Sequence, residues 1–265
     1  MILVNKISNY FCTNFELTFD SQPGIDFAHN HMSLPCILVF LYLSSIYCGN
    51  KYMTCRNPYN LRYPLVLWNA ILSLFSFMGA LRTYPTFLTI VTTNNFSDTI
   101  CLDPRTTWGN GASGLWVQLF IYSKIPELID TFFIIARKKP LIFLHWYHHV
   151  TVLLYCWHSY ATLAPQALYF VVMNYTVHAA MYGYYCLMAL GIKPKWLSPI
   201  YITFMQISQM LVGMLIQLSA SYKYLTDSTC HLNGENIFWG GLMYTSYFAL
   251  FTHFAIKRYY KKKLK

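Results

Sequence analysis

Apolar residues recur along the chain in seven long runs, separated by short polar or charged segments. Each run is close to the ~20 residues that a helix needs to cross the hydrocarbon core of a bilayer. The pattern therefore predicts an all-α, polytopic membrane protein with seven transmembrane helices. It divides the chain into a lead-in segment over 1–33, a transmembrane domain over 34–256 and a basic tail over 257–265. The apolar runs cover residues 34–50, 64–92, 114–136, 141–158, 164–188, 197–221 and 237–256.

Composition supports the membrane assignment, and the distribution of charge predicts how the chain is oriented in the membrane. The chain is 56% hydrophobic and 11% charged, whereas a soluble domain carries about 25% charged residues. Of the 19 Lys and Arg residues, 14 fall in alternate connections and the C-terminal tail, which hold no Asp or Glu. The positive-inside rule makes these segments cytosolic, so the N-terminus is predicted to be lumenal and the C-terminus cytosolic. The net charge of +10 follows this loop pattern and does not indicate a nucleic-acid partner.

The predicted lumenal loops and the tail carry candidate modification and targeting sites. Cys101 and Cys230 lie in different lumenal segments, where an oxidising compartment favours a disulfide over two free thiols. Asn95 begins an Asn-Phe-Ser glycosylation sequon, although its closeness to a span leaves its use open. Lys262 and Lys263 resemble a dilysine signal for retrieval to the endoplasmic reticulum. The alternative for these lysines is a basic run that binds anionic lipid.

The fourth apolar run carries three histidines on one helical face. His145, His148 and His149 stand at positions i, i+3 and i+4 of a segment that is otherwise apolar enough to lie in a bilayer. Ionisable groups that face lipid are costly. This face is therefore predicted to line a protein interior or a wet cavity.

Three other runs carry polar residues at a similar depth. At ~1.5 Å per residue, these groups lie roughly 10–20 Å from the predicted cytosolic surface, so four helices are expected to converge on one chamber. The alternative is local packing, with ion pairs in the third run and interhelical amide hydrogen bonds in the sixth. The lumenal halves of the runs are mostly apolar and aromatic, which suits a substrate with a charged head and a hydrocarbon tail. The polar residues are Lys124, Glu127, Asp130 and Thr131 in the third run, Asn174, His178, Tyr182 and Tyr185 in the fifth, and Gln206 and Gln209 in the sixth.

These residues fall into four ordered motifs that resemble the signature boxes of the very-long-chain fatty acid elongases, the condensing enzymes of the endoplasmic reticulum. The resemblance covers residues 60–258, and the Trp-Tyr pair inside the histidine motif is similar to the branch acting on saturated and monounsaturated chains. The motifs are Lys124-Ile-Pro-Glu127-Leu-Ile-Asp130-Thr131, His145-Trp-Tyr-His148-His149, Asn174-Tyr-Thr-Val-His178-Ala-Ala-Met181-Tyr182-Gly-Tyr184-Tyr185 and Thr203-Phe-Met-Gln206-Ile-Ser-Gln209.

The resemblance implies a reaction, its partners and an architecture. A fatty acyl-CoA would condense with malonyl-CoA to a 3-oxoacyl-CoA two carbons longer, with loss of CO₂ and CoA and with no cofactor or metal. The ketoacyl reductase, dehydratase and enoyl reductase of the elongation cycle are the expected partners besides membrane lipid. Spans 2–7 would form a six-helix barrel around an acyl tunnel, and span 1 would pack outside it.

The resemblance also suggests roles for individual residues. His148 is the expected acyl acceptor, because a neutral imidazole is a good nucleophile and burial favours its neutral form. His178 would act at the malonyl unit, and Asn174 would hold His178 or stabilise the enolate. His145 and His149, with Glu127 and Asp130, would orient these imidazoles. Pocket and CoA contacts are expected from Gln206, Gln209, Tyr182, Tyr185, Arg137, Lys138, Lys193 and Lys195.

Two other functions fit parts of the sequence. A di-iron desaturase or hydroxylase also uses His-x-x-His-His, but it needs about eight histidines, and this chain has 9 in all with four at chamber depth. A seven-span receptor would share the lumenal N-terminus, but its binding chamber would open away from the cytosol. The elongase is therefore the favoured interpretation.

Overall fold

A computed structural model describes residues 12–194 and 196–260, apart from the side chain of Tyr260. Lys195, Lys262 and Lys263 lie outside the described residues. The described chain is helical, with an isolated β-bridge between Asp20 and Asn110. The longer helices are α1 (Gln22–Asn30), α2 (Leu34–Met53), α3 (Arg62–Thr93), α4 (Gly111–Ser123), α5 (Ile129–Ala136), α6 (Phe143–Ala161), α7 (Ala167–Leu190), α8 (Pro199–Thr226) and α9 (Gly234–Ala255). Shorter helical turns cover Asn14–Leu17, Phe96–Thr99, Pro104–Thr107, Pro126–Leu128 and Ile256–Tyr260.

Helices occupy all seven apolar runs, and their bounds follow local sequence signals. Ser198 caps the start of α8, and Gly191 ends α7 in a left-handed conformation with φ of 84°. Pro126 interrupts the third run, where a 3₁₀ turn separates α4 from α5. By length and composition, three described helices, α2, α3 and α8, could each cross a membrane. The membrane character is thus confirmed, whereas the count of seven spans stays a prediction.

The helices that follow α2 contact one another in a continuous sequence of neighbours. α3 packs against α4 and α7, α8 packs against α7 and α9, and α6 packs against α9 and α4. α2 lies against α5 and α6. At the α3–α7 contact, a Cβ on Gly79 would overlap the Tyr175 ring. A small residue is required there because the two helices approach closely, as at many membrane helix interfaces.

The two ends of the bundle differ in chemistry. At the basic end, which carries Arg62 and Arg137, the Arg62 guanidinium donates to the carbonyls of Ala189 and Leu190, at 2.8 and 2.7 Å. At the opposite end, Cys101 and Cys230 are joined by a disulfide, with their Cα atoms 4.6 Å apart. We call this the disulfide end. The cysteine pair that the sequence suggested is therefore bonded in the structure.

The segment before α1 folds onto the bundle through one buried carboxylate. Glu16 accepts hydrogen bonds from the Arg82 guanidinium at 2.8 Å and from the Trp116 indole at 2.9 Å. Its other oxygen accepts from the Thr13 amide at 2.8 Å. Burial alone would raise the pKa of Glu16, but Arg82, Trp116 and Thr13 outweigh burial and lower it from 4.5 to about 2.

The Glu16 carboxylate predicts an acid-dependent loss of stability. Because the pKa is lower in the folded state, its contribution is complete above pH 4.5 and is lost as the pH falls toward about 2. We expect Glu16→Gln to lower the melting temperature of the detergent-solubilised protein at pH 7, with a difference from wild type that shrinks as the pH falls below 4.5. The exposed Asp26→Asn variant is the control, and equal melting temperatures of Glu16→Gln and wild type at pH 7 would contradict the prediction.

A buried amide cluster lies toward the disulfide end, where the sequence suggested an apolar and aromatic interior. Asn236 is fully buried, and its side-chain amide donates to Ser159 at 2.8 Å. Its oxygen accepts from Gln166 at 3.1 Å, and Gln217 donates to Tyr155 at 2.7 Å. The surrounding interior is mostly apolar and aromatic, as the sequence suggested, but the amide cluster within it was not predicted. The sequence does not indicate that these amide side chains contact one another, because they are far apart along the chain and only tertiary packing brings them together.

Candidate active site

A cavity of about 530 Å³ lies among the helices and reaches the basic end. Six helices, α3 and α5–α9, contribute to its lining, whereas α2 does not. The lining includes these polar residues that the sequence singled out: Asp130, Arg137, His145, His148, His149, Asn174, His178, Tyr182, Tyr185, Gln206 and Gln209. All four motifs therefore contribute to the lining of this one cavity, the first of them through Asp130.

The three histidines of α6 form one side of this cavity. The rings of His145 and His149 are 4.5 Å apart, and those of His148 and His149 are 5.7 Å apart. The ring of His148 also contacts Tyr247 of α9 at 5.0 Å. Its Nδ1 atom is buried and has no hydrogen-bond partner among the described residues. This nitrogen is therefore not occupied in holding the fold.

Glu127 and Lys124 form a buried ion pair behind the cavity wall. The Lys124 ammonium donates to Glu127 Oε1 at 2.7 Å, and the two residues are 2% and 3% exposed. The ammonium also approaches Asn174 Oδ1 at 3.5 Å. Glu127 Oε2 lacks a hydrogen-bond partner among the described residues and lies 4.0 Å from His178 Nδ1. The ion pair thus contacts Asn174 and lies beside His178, which α7 presents to the cavity one helical turn apart.

Asp130 has both carboxylate oxygens occupied by ring donors. The Trp68 indole donates to Oδ1 at 2.6 Å, and the Tyr182 hydroxyl donates to Oδ2 at 2.7 Å. Asp130 therefore links α3, α5 and α7 and holds the Tyr182 ring, which contacts the His178 ring at 5.3 Å. Gln206 donates to the sulfur of Met181 at 3.4 Å, while Gln209 is buried beside it.

The cations suggested for CoA binding are placed differently from one another. Arg137 lines the cavity, as does Lys139, which the sequence argument had not selected. Lys138 has a positive φ of 50°, lines a neighbouring groove and donates to the Thr54 carbonyl at 3.3 Å. Lys193 is exposed and is not part of the cavity lining.

Several residues that support the site were not found from the sequence. Tyr42 of α2 and Tyr247 of α9 are buried tyrosines in apolar helices, and nothing in their local sequence marks them. Trp68 lies in the apolar run over 64–92, and its contact with Asp130 was not predicted. Asn69 also lines the cavity from α3.

The histidines do not form a metal-binding arrangement in the described part of the chain. Within residues 12–194 and 196–260, the group of three closely spaced potential ligands is Cys101, Asp227 and Cys230. Two of these are joined in the disulfide. The geometry therefore gives the di-iron alternative no support.

Comparison with known proteins agrees with the motifs. The ELO: GNS1/SUR4 family profile matches residues 27–265. The chain is 41% identical over 251 residues to very long chain fatty acid elongase 6 of Gallus gallus, covering 95% of this chain and 94% of the relative. It is 40% identical over 252 residues to very long chain fatty acid elongase 3 of Homo sapiens, covering 95% and 91%. A Trypanosoma cruzi relative, very long chain fatty acid elongase 4, is 43% identical over 233 residues, covering 87% and 80%.

The fold and the polar cavity define a helical membrane protein with a buried histidine site. The match along most of its length assigns the chain to the ELO family of very long chain fatty acid elongases. The family that the motifs suggested is thereby confirmed, and a role in fatty acid elongation follows from it.

Proposed function

We propose that this protein catalyses the condensation step of fatty acid elongation. A long-chain saturated or monounsaturated acyl-CoA would react with malonyl-CoA to give a 3-oxoacyl-CoA two carbons longer, CO₂ and CoA. The main observation behind the proposal is that one cavity is lined by His148 of α6 and by Asn174 and His178 of α7. The basic end supplies cations for the CoA phosphates, and the enclosed interior suits a hydrocarbon chain.

The proposed mechanism begins with acyl transfer to His148. An imidazole nitrogen attacks the thioester carbonyl carbon, the C–S bond breaks, and the CoA sulfur leaves with the imidazole proton. Nucleophilic catalysis of this kind divides one difficult substitution into two easier ones. The buried, unpartnered Nδ1 of His148 supports this role, since a nucleophile needs a free nitrogen.

The second half of the mechanism involves the malonyl unit. Decarboxylation of malonyl-CoA releases CO₂ and leaves an enolate, whose carbon attacks the acyl-imidazole carbonyl. The C–N bond then breaks, and a proton taken from water restores the neutral imidazole. His178 and the Asn174 amide, held by the Lys124–Glu127 pair, would donate hydrogen bonds to the enolate oxygen. Such preorganised donors stabilise charge as it develops.

The membrane arrangement that we propose follows the helix contacts. The closed order of neighbours α3, α4–α5, α6, α9, α8 and α7 supports a six-helix barrel, with α2 outside it. The cations at one end and the disulfide at the other support a cytosolic basic end and a lumenal disulfide end. Residence in the endoplasmic reticulum and glycosylation of the exposed Asn95 belong to the same proposal.

The reaction can be tested with the purified protein in proteoliposomes. Incubation with palmitoyl-CoA and [2-¹⁴C]malonyl-CoA should yield radioactive 3-oxostearoyl-CoA and an equal amount of unlabelled CO₂, which comes from the free carboxylate of malonyl-CoA, without added metal or nicotinamide. Mass spectrometry of the protein after incubation with palmitoyl-CoA alone should show a palmitoyl adduct on the peptide containing His148. Failure to form any 3-oxoacyl-CoA across chain lengths from C12 to C22 would overturn the proposed condensation.

A further inference from the structure

The described part of α2 is mostly exposed, yet one of its side chains reaches the histidine site. Its buried residues are Pro35, Tyr42 and Met53, and Tyr42 is 5% exposed. Pro35 and Met53 lie near the two ends of α2, so Tyr42 is the buried contact at mid-helix. A phenol buried there needs a hydrogen-bond partner, because an unpaired buried hydroxyl is costly.

Tyr42 finds its partner in a chain of hydroxyl groups that ends on an imidazole. Tyr42 Oη lies 2.7 Å from Thr131 Oγ1, and Thr131 Oγ1 lies 2.9 Å from His145 Nε2. All three groups are on different helices, α2, α5 and α6. The Tyr42 ring also lies 6.4 Å from the ring of His149.

The chemistry of the three groups sets the direction of this chain. A phenol is a stronger donor than an aliphatic hydroxyl, so Tyr42 donates to Thr131. The single Thr131 proton then points to His145 Nε2, which accepts. A neutral imidazole that accepts at one nitrogen carries its proton on the other. His145 is therefore held with its proton on Nδ1.

We infer that Tyr42 is a positioning residue for the active site, acting through Thr131 to fix the ring orientation and the tautomer of His145. The inference rests on the proposed condensation and extends it to α2, which does not line the cavity. His145 does line the cavity, and its ring contacts that of His149 with the centroids 4.5 Å apart. The chain thus couples the peripheral helix to the histidine cluster without touching substrate.

The first test compares variants that differ by one hydroxyl group. We expect Tyr42→Phe and Thr131→Val each to lower kcat roughly fivefold to tenfold, as for loss of one hydrogen bond, with KM for both substrates unchanged. The double variant should be no slower than the slower single variant, because the two changes break the same chain. Thr131→Ser keeps the hydroxyl and should retain wild-type kcat. Tyr47→Phe, a change at a 70% exposed tyrosine of α2, is the matched control.

A second test does not depend on elongation activity. Diethyl pyrocarbonate modifies unprotonated imidazole nitrogens, and mass spectrometry reads the modification of each histidine. Thr131→Val removes the hydroxyl that contacts Nε2, so it should raise the modification rate of His145 several-fold and leave that of the exposed His253 unchanged. If wild type made no 3-oxoacyl-CoA, the proposed condensation would fail, while this labelling would still test the hydrogen-bond chain. Unaltered His145 labelling, or unaltered kcat in an active enzyme, would overturn the inference.

Discussion

Replacing either His148 or His178 by alanine is expected to reduce incorporation of malonyl-CoA by on the order of a thousandfold. Loss of His148 removes the group that forms the acyl intermediate, whereas loss of His178 removes a donor at the enolate. Both residues line the cavity, so their truncation changes groups that would touch substrate. The measurement is initial-rate formation of 3-oxoacyl-CoA in proteoliposomes that contain equal amounts of each protein.

The two variants should differ when acyl-CoA is supplied without malonyl-CoA. His148→Ala should release no CoA in a single turnover, while His178→Ala should still release close to one equivalent. His253→Ala, an exposed histidine of α9 outside the cavity lining, should behave as wild type. A full CoA burst in His148→Ala would show that the acyl group is accepted elsewhere. Wild-type condensation rates in either variant would remove that residue from the mechanism.

The second large effect concerns the buried ion pair behind the cavity. Lys124→Met should destabilise the folded protein by about 3–5 kcal/mol, because it leaves the Glu127 carboxylate buried without its counter-ion. For a chain of this size, the expected fall in melting temperature is on the order of 10 °C. Activity should fall as well, since Asn174 loses the Lys124 ammonium that contacts its side-chain oxygen. Thermal unfolding in detergent and the condensation assay measure the two effects.

Two further variants separate the ion pair from simple loss of volume. Lys124→Met with Glu127→Gln removes both charges and should recover much of the stability that Lys124→Met loses. Lys223→Met removes the cation of a peripheral pair, 3.6 Å from Asp227, and should leave the melting temperature unchanged because exposed pairs are screened by solvent. An equal loss in the single and double variants would mean that the buried charge is not the cause.

The two sides of a helix in this bundle have different surroundings, so substitutions on them should differ in their effect on stability. Phe204 and Leu215 of α8 are 69% and 55% exposed, while Thr203 and Gln209 of the same helix are buried. In a bilayer the exposed apolar side chains face lipid, and the buried polar ones face other helices. On α8, Thr203 and Gln209 are thus interior positions while large apolar residues lie outside, the reverse of the usual pattern in water.

The sequence predicted most of the local structure because local structure depends on nearby residues. The apolar runs predicted where helices form, and the spacing of His145, His148 and His149 placed them on one helical face. Charge segregation predicted two chemically different ends. The same reasoning, with the motif resemblance, identified most of the polar residues that line the cavity.

What the sequence alone determined, then, is the helices, the residues that carry the chemistry and the family, since each is encoded in contiguous segments. The tertiary structure decided which groups meet: Asp130 with Trp68, Thr131 with Tyr42, and Asn236 with an amide cluster where an apolar interior was expected. It also separated Arg137, which lines the cavity, from Lys138, which bonds to a backbone carbonyl. The physical reason is that a buried polar group must be paired, and its partner is chosen by helix packing across tens of residues of sequence.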